Sequence, residues 1–137
     1  MTTIGRNAFS GCNSLNELTL PFVGTTPTQG ILKDLFSYTI PSSLKKVTIT
    51  KPCNINANAF SGCSSLMEIN LPNDITSIGN SAFSDCSSLW ELNLPNSVIS
   101  IGDYAFSGCS NLFSITIPPS VTSFGYSVFL GVTDLPK

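Results

Sequence analysis

Short stretches in which apolar and polar residues alternate recur along the chain, and each ends at a proline. LNELTLP, LMEINLP, LWELNLP and LFSITIP end at residues 21, 72, 95 and 118. Alternation with a period of two is typical of a β-strand with one buried face. A proline ends such a strand because it has no N–H to donate. The pattern therefore predicts short strands whose leucine and isoleucine side chains point inward.

These strands belong to a longer repeated unit. The units IGRNAFSGCNSLNELTLP (4–21), INANAFSGCSSLMEINLP (55–72), IGNSAFSDCSSLWELNLP (78–95) and IGDYAFSGCSNLFSITIP (101–118) align throughout. Phe60, Phe83, Phe106 and Phe129 follow one another at intervals of 23 residues. A unit this short cannot bury its apolar face alone, so the units stack around one continuous core. One strand per unit, always in the same direction, predicts a parallel sheet along one side of a solenoid.

The spacing also gives the number of units. Phe9 and Phe60 are 51 residues apart, which leaves room for one unit of 23 residues and one of 28. The extra length falls in 22–40, where Phe36 takes the place of the repeated phenylalanine. We therefore predict a single solenoid over residues 1–137 with about six repeats. The second repeat carries an insertion at 22–40, and the last, which begins at 124, is incomplete.

A glycine or asparagine follows the first isoleucine or phenylalanine of the aligned repeats. These residues are Gly5, Asn56, Gly79, Gly102 and Gly125. Glycine and asparagine tolerate a positive φ better than other residues do. The sequence therefore predicts a left-handed backbone conformation at this position of the repeat.

Composition and charge exclude several classes of function. Charged residues make up 10% of the chain, against about 25% in an average protein. The net charge is −2 and no basic cluster is present, which argues against binding to nucleic acid. The absence of histidine removes the commonest general base and metal ligand. No apolar run is long enough to cross a membrane, and MTTIGRNAFSG has no signal-peptide pattern, so we expect a cytoplasmic protein or a piece of a longer one.

Four of the five cysteines, Cys12, Cys63, Cys86 and Cys109, share one position of the repeat. They lack the close pairing typical of zinc sites, and a disulfide between stacked repeats would distort the sheet. We predict that they are buried and reduced. Cys53 lies outside this position, and we interpret it as a tolerated, partly exposed substitution. Without histidine, no thiol has its usual activating base, so we predict no catalytic residue, no metal and no cofactor.

Residues between the inward-facing leucines form three outward columns across the predicted sheet. The first column is Asn16, Lys45, Met67, Trp90 and Phe113. The second is Glu17, Lys46, Glu68, Glu91 and Ser114, and the third is Thr19, Thr48, Asn70, Asn93 and Thr116. The neighbouring carboxylates of the second column do not by themselves predict calcium, which takes six or more oxygen ligands.

The first column carries the strongest indication of a binding surface. Met67, Trp90 and Phe113 are expected to form one apolar strip, and contiguous exposed apolar surface typically marks a contact site. Tryptophan and methionine are also enriched at interfaces. In the alternative arrangement, these side chains fold over the strand edge and cover neighbouring turns. The candidate partner-binding residues are Met67, Trp90, Phe113, Lys45, Glu68 and Glu91.

The repeats resemble the BspA-like leucine-rich repeats of bacterial surface proteins, whose unit reads roughly SIGxxAFxGCSSLxxIxLPxSVT. The resemblance runs through residues 4–21 and 42–129, and LPFVG (20–24), LF (35–36) and IPSSLKKVTI (40–49) are similar to a variant repeat of that family. It implies a leucine-rich-repeat solenoid with a strand and a turn or short helix per unit, and one parallel sheet on the concave face. It further implies a secreted or cell-surface protein that binds host proteins and has no catalytic activity.

We therefore predict a non-catalytic protein-interaction or adhesion module that binds a partner through its strand-bearing face, without membrane insertion. Two alternatives remain open. One is a structural spacer that self-associates through the ends of the stack, where no polar capping repeat is visible. The other is a carbohydrate-binding surface centred on Trp90, with Glu91, Asn70 and Asn93 nearby.

Overall fold

A computed structural model describes residues 3–28 and 30–132 of the chain. Within these residues the chain forms eight short strands and one 3-10 helix. The strands are β1 (Glu17–Leu20), β2 (Lys46–Ile49), β3 (Glu68–Asn70), β4 (Ser77–Ile78), β5 (Glu91–Asn93), β6 (Ser100–Ile101), β7 (Ser114–Thr116) and β8 (Ser123–Phe124). The helix spans Leu32–Leu35. The end of the last predicted repeat, 133–137, lies outside the described residues.

The strands form two parallel sheets on a stack of repeats, which confirms the predicted solenoid. The predicted sheet has five strands in the order β1-β2-β3-β5-β7. A second sheet, in the order β4-β6-β8, was not predicted. It pairs Ile78 with Ile101 and Ile101 with Phe124, at the start of successive repeats. Its strands are only two residues long, too short to show the alternation from which a strand is recognised.

The register of the five-stranded sheet is the one that the repeat alignment predicts. Glu17 pairs with Lys46, Lys46 with Glu68, Glu68 with Glu91, and Glu91 with Ser114. Inward residues of β1, β2, β3 and β5 are buried, and the residues between them are more exposed. The second and third outward columns therefore lie on one face of this sheet.

Stacked phenylalanine rings run through the core. Phe60, Phe83 and Phe106 are each 0% exposed. Neighbouring ring centroids are 5.3 Å apart, and the rings are tilted by only 7° and 3°. The bond that Phe60 N donates to Ala82 O is repeated from Phe9 N to Leu35 O. Phe36 thus takes the repeated phenylalanine position towards the first repeat, and the centroids of the Phe9 and Phe36 rings are 5.8 Å apart. Towards the third repeat the corresponding bond is donated to Ala59 O by Leu32 N, so Leu32 takes that position there.

The predicted left-handed backbone after the first isoleucine is wrong. Positive φ occurs two residues further along the repeat, for example at Ser81 (55°) and Tyr104 (57°). The glycine position has another cause, which Gly102 shows. A Cβ at Gly102 would lie 2.6 Å from Asn80 N and 2.8 Å from Gly79 C. Glycine is needed here because the backbones of adjacent repeats approach closely.

The insertion at 22–40 contributes to the core. Phe22, Leu32 and Leu35 are at most 1% exposed. Asp34, in the 3-10 helix, is also buried, and one carboxylate oxygen lies 3.2 Å from the Arg6 guanidinium. Its other oxygen accepts a hydrogen bond from Ile31 N at 3.1 Å. The insertion is therefore held against the first repeat by apolar packing and a part-buried ion pair.

Candidate partner-binding site

The three residues of the predicted apolar strip lie side by side on successive repeats. Met67, Trp90 and Phe113 immediately precede β3, β5 and β7 and are 45%, 40% and 46% exposed. The Trp90 and Phe113 rings are stacked, with centroids 5.2 Å apart and planes 21° from parallel. Stacking on a neighbour restricts both rings, so the strip presents its apolar surface in a defined orientation.

Backbone hydrogen bonds hold this column in place. Met67 N donates to Lys45 O at 2.8 Å, and Phe113 N donates to Trp90 O at 3.1 Å. Lys45 thus lies directly beside Met67 in the neighbouring repeat, and it is exposed. The structure brings Lys45 and the apolar strip together on one edge of the sheet face.

The predicted acidic residues lie next to the strip. Glu68 Oε2 is 3.4 Å from Lys46 Nζ, which is also 3.7 Å from Glu17 Oε1. Glu68 Oε2 further accepts a hydrogen bond from Asn70 Nδ2 at 3.2 Å. Exposed ion pairs of this kind contribute only about 0–1 kcal/mol to stability. In the part of the chain that the structure describes, no ion pair forms at Glu91, which leaves its carboxylate for a partner.

A small cleft runs between the strip and these polar residues. Its volume is about 200 Å³, and its walls are formed by Met67, Glu68, Ile69, Asn70, Trp90, Glu91 and Asn93. Small-molecule sites usually enclose roughly 300–1,000 Å³. The cleft therefore has the size to receive one protruding side chain of a larger partner.

Among 3–28 and 30–132, no group of three or more Cys, Asp or Glu side chains is placed to hold a metal ion. Within the same residues, no helix is both long and apolar enough to cross a lipid bilayer.

Three of the repeated cysteines are buried in the core as predicted. Cys63, Cys86 and Cys109 are 0% exposed and free. Cys86 Sγ donates a hydrogen bond to Phe60 O at 3.1 Å, and Cys109 repeats this bond one repeat further on. Burial raises the pKa of Cys63 and of Cys109 to about 12, and the pKa of Cys86 well above its usual value. These thiols are kept neutral by the apolar core.

The prediction of burial is wrong for Cys12, which is exposed. Cys12 lies in the first repeat, which has a described neighbouring repeat on one side only, so its thiol is not enclosed. Cys53 has intermediate exposure, and partial burial raises its pKa. Its partial exposure agrees with the interpretation of a tolerated substitution outside the repeated column.

The thiols are expected to react with Ellman's reagent in three groups. At pH 8, native protein should release colour quickly from Cys12, more slowly from Cys53, and from the other three only after denaturation. The folded-state pKa of about 12 at Cys63 lies above the unfolded value of 9.0. Stability from the neutral thiol is therefore full below pH 9 and is lost as the pH rises towards 12. Rapid release of five equivalents by native protein would contradict the buried column.

Sequence reasoning missed a second groove beside Lys45. It is lined in part by Lys33 and Tyr38, which lie in the insertion. Neither residue has a counterpart in the aligned repeats, so the alignment assigns them to no column. Lys33 and Tyr38 line the same groove as Lys45 only because of the way the insertion packs.

Comparison with known proteins places the chain in a family. A family model of the BspA type leucine rich repeat region (6 copies) matches residues 1–51 and 29–137. The fold is similar to a crystal structure of a leucine-rich repeat protein from Bacteroides ovatus, with a TM-score of 0.73 and 31% identity. That alignment covers 96% of this chain and 32% of the other. No curated protein matches the sequence.

A second similar structure is the leucine-rich repeat protein of T. pallidum, with a TM-score of 0.57 and 28% identity over 100% of this chain and 72% of the other. The chain spans about a third, 32%, of the Bacteroides ovatus structure. Repeats of this family are generally non-catalytic and act as interaction modules. The predicted leucine-rich-repeat solenoid and the resemblance are confirmed, and the chain belongs to the family of BspA type leucine-rich repeats.

Proposed function

We propose that the chain is a non-catalytic protein-binding module whose partner contacts the strand-bearing face at the apolar strip of Met67, Trp90 and Phe113. The observation that carries this proposal is the 40–46% exposure of three large apolar side chains on successive repeats. Only 10% of the residues are charged, yet Lys45 lies at one end of this strip and Glu68 and Glu91 directly follow two of its residues. An apolar centre with a polar rim is the usual composition of a protein interface.

The geometry favours a protein over a small ligand. The 200 Å³ cleft beside Trp90 is too small to enclose a drug-sized molecule, whereas the strip beside it spans three repeats. Neighbouring parallel strands are about 4.8 Å apart, so the strip extends roughly 10 Å along the stack. A partner segment that lies across the repeats would place one side chain in the cleft and others on the strip.

The chain's chemistry supports a binding role without catalysis. It contains no histidine, and burial raises the pKa of the Cys63, Cys86 and Cys109 thiols, which keeps them protonated. Through the family, we further propose an adhesive role at a bacterial cell surface or in secreted form, with a host or cell-surface protein as the partner.

Replacing Trp90 and Phe113 together with alanine should weaken partner binding by at least about 30-fold, the loss typical of interface hot spots. The thermal midpoint should remain within a few degrees of wild type, because both side chains are more than a third exposed. Short random peptides displayed on phage and selected on the whole chain supply the ligand. Affinity is measured by fluorescence of a dye on the peptide.

The matched control replaces Tyr104 and Tyr126, a second exposed pair of aromatic rings in contact, with centroids 5.4 Å apart. This variant should bind as wild type does. Equal losses in both variants would show that binding is not localised at the strip, and unfolding of the Trp90 variant would show that the strip is core. A third outcome would assign the cleft to carbohydrate instead. In that outcome no peptide is selected, and an oligosaccharide on a glycan array binds wild type but not Trp90→Ala.

A further inference from the structure

A basic groove lies beside the apolar strip, between the insertion and the third and fourth repeats. Its volume is about 480 Å³, and it is lined by Lys33, Tyr38, Thr39, Ile40, Ser42, Lys45, Gly62, Ser64, Ser65 and Ser88. These residues include two lysines and six hydroxyl-bearing side chains, but no aspartate or glutamate. In a chain of net charge −2, this lining forms a local positive surface.

Among the residues that the structure describes, neither ammonium group of the groove has a carboxylate partner. Arg6 and Lys46, in contrast, form ion pairs with carboxylates of the chain. No described carboxylate pairs with Lys33 or Lys45. An unpaired cation at a surface attracts an anion with a strength that increases as the site is shielded from water.

Lys33 is held in place by the way the insertion packs. It follows the buried Leu32 in the 3-10 helix and is itself partly buried. A Cβ at Gly62 would lie 2.5 Å from Lys33 Nζ, so the ammonium group rests against the Gly62 turn of the third repeat. Its charge also acts on the buried Cys63 thiol, where it lowers a pKa that burial raises more strongly. The ammonium position is thus set by packing, and less side-chain entropy is lost when an anion binds.

Hydroxyl donors are available on the same surface. Ser65 donates to Leu44 O at 2.8 Å and is already committed. Within the described part of the chain, the Ser42 and Ser64 hydroxyls form no hydrogen bond. A carboxylate in the groove would meet two cations and free hydroxyl donors, the partners that such a group prefers.

The groove and the apolar strip are continuous through Lys45, whose carbonyl accepts a hydrogen bond from Met67 N at 2.8 Å. Lys45 and Trp90 lie two repeats apart along the column. At about 4.8 Å per strand this separation is roughly 10 Å, which an extended peptide spans with about three residues.

We propose that the basic groove binds the carboxylate of an acidic residue in the partner segment whose apolar side chain lies on the strip. This inference rests on the proposed function. The partner segment then carries an aspartate or glutamate about two to four residues from an aromatic or aliphatic side chain. Such a pairing of charge with apolar contact supplies orientation and specificity.

The test uses the peptides selected by phage display on the whole chain. Their sequences should be enriched in an acidic residue at that spacing from an apolar one. A labelled peptide of this kind should bind about 3–10-fold more weakly to Lys33→Gln and to Lys45→Gln, with the larger effect at low ionic strength. Replacing the peptide's acid by its amide should remove the difference between wild type and these variants.

Lys51→Gln is the matched control, because it removes one exposed charge that lines neither the groove nor the cleft. Its affinity should equal that of wild type, and thermal midpoints should confirm that all three variants fold. Two results would contradict carboxylate binding in the groove and leave the proposed function standing. Peptides that need Trp90 would show no acidic enrichment, or they would bind equally well to wild type and to the lysine variants. The absence of any Trp90-dependent peptide would overturn the proposed function, and with it this inference.

Discussion

Replacing Phe83 with alanine is expected to lower the free energy of unfolding by about 3–5 kcal/mol. Phe83 is 0% exposed and lies between Phe60 and Phe106, with 5.3 Å between ring centroids on each side. Its removal eliminates both contacts and leaves a cavity in the middle of the stack. Native domains are stable by only about 5–15 kcal/mol, so this single change removes a large share of the total.

The linear architecture makes the loss more severe. Each repeat of a solenoid contacts only its neighbours, so a defect in a central repeat weakens the connection between the two halves. The thermal midpoint should fall by about 10 °C or more, as followed by circular dichroism. Phe113→Ala removes the same ring from an exposed position, at 46% exposure, and should cost less than about 1.5 kcal/mol. Similar losses for the two variants would contradict the assignment of the phenylalanine stack to the core.

The positions that repeat could be predicted from sequence because stacking imposes one register on every unit. Aligning the units was enough to place Lys46 between Glu17 and Glu68, and the structure has this pairing. The same alignment placed Trp90 beside Phe113, whose rings are stacked. In a repeat protein the alignment of the units thus gives three-dimensional neighbours directly, and the outward positions are where one repeat of this chain differs from the next.

The features that sequence could not supply depend on contacts between different repeats. Strands β4, β6 and β8 consist of two residues each and are held by the neighbouring repeat, without an amphipathic pattern of their own. Cys12 has nearly the same local sequence as its buried counterparts, yet its exposure depends on what stacks outside it. The groove at Lys33 and Lys45 depends on the insertion, which has no aligned partner.

Gly102→Ala is expected to lower the free energy of unfolding by about 1–3 kcal/mol or more, the usual cost of forcing an extra methyl group into a packed site. The atoms nearest the new methyl group include Asn80 N and Gly79 C, at 2.6 and 2.8 Å. These are backbone atoms of the preceding repeat, so no side-chain rotation can relieve the contact. The repeats must move apart, which strains the hydrogen bond from Gly102 N to Ile78 O.

Gly5→Ala separates the two explanations for this glycine position. Gly5 occupies the equivalent position in the first repeat, but no heavy atom of the described residues lies within 4 Å of the position that a Cβ would take. If close approach is the reason for glycine, Gly5→Ala should be neutral or stabilise the protein by up to about 1 kcal/mol through lower chain entropy. If left-handed backbone were the reason, both changes should destabilise. Asn56 fits the first explanation, because the segment that precedes it in the stack is the insertion and not a regular repeat. A side chain is accommodated there, and the Asn56 amide donates a hydrogen bond to Gly30 O at 3.4 Å. Denaturant unfolding of the two variants decides between them, and equal losses would overturn close approach as the cause.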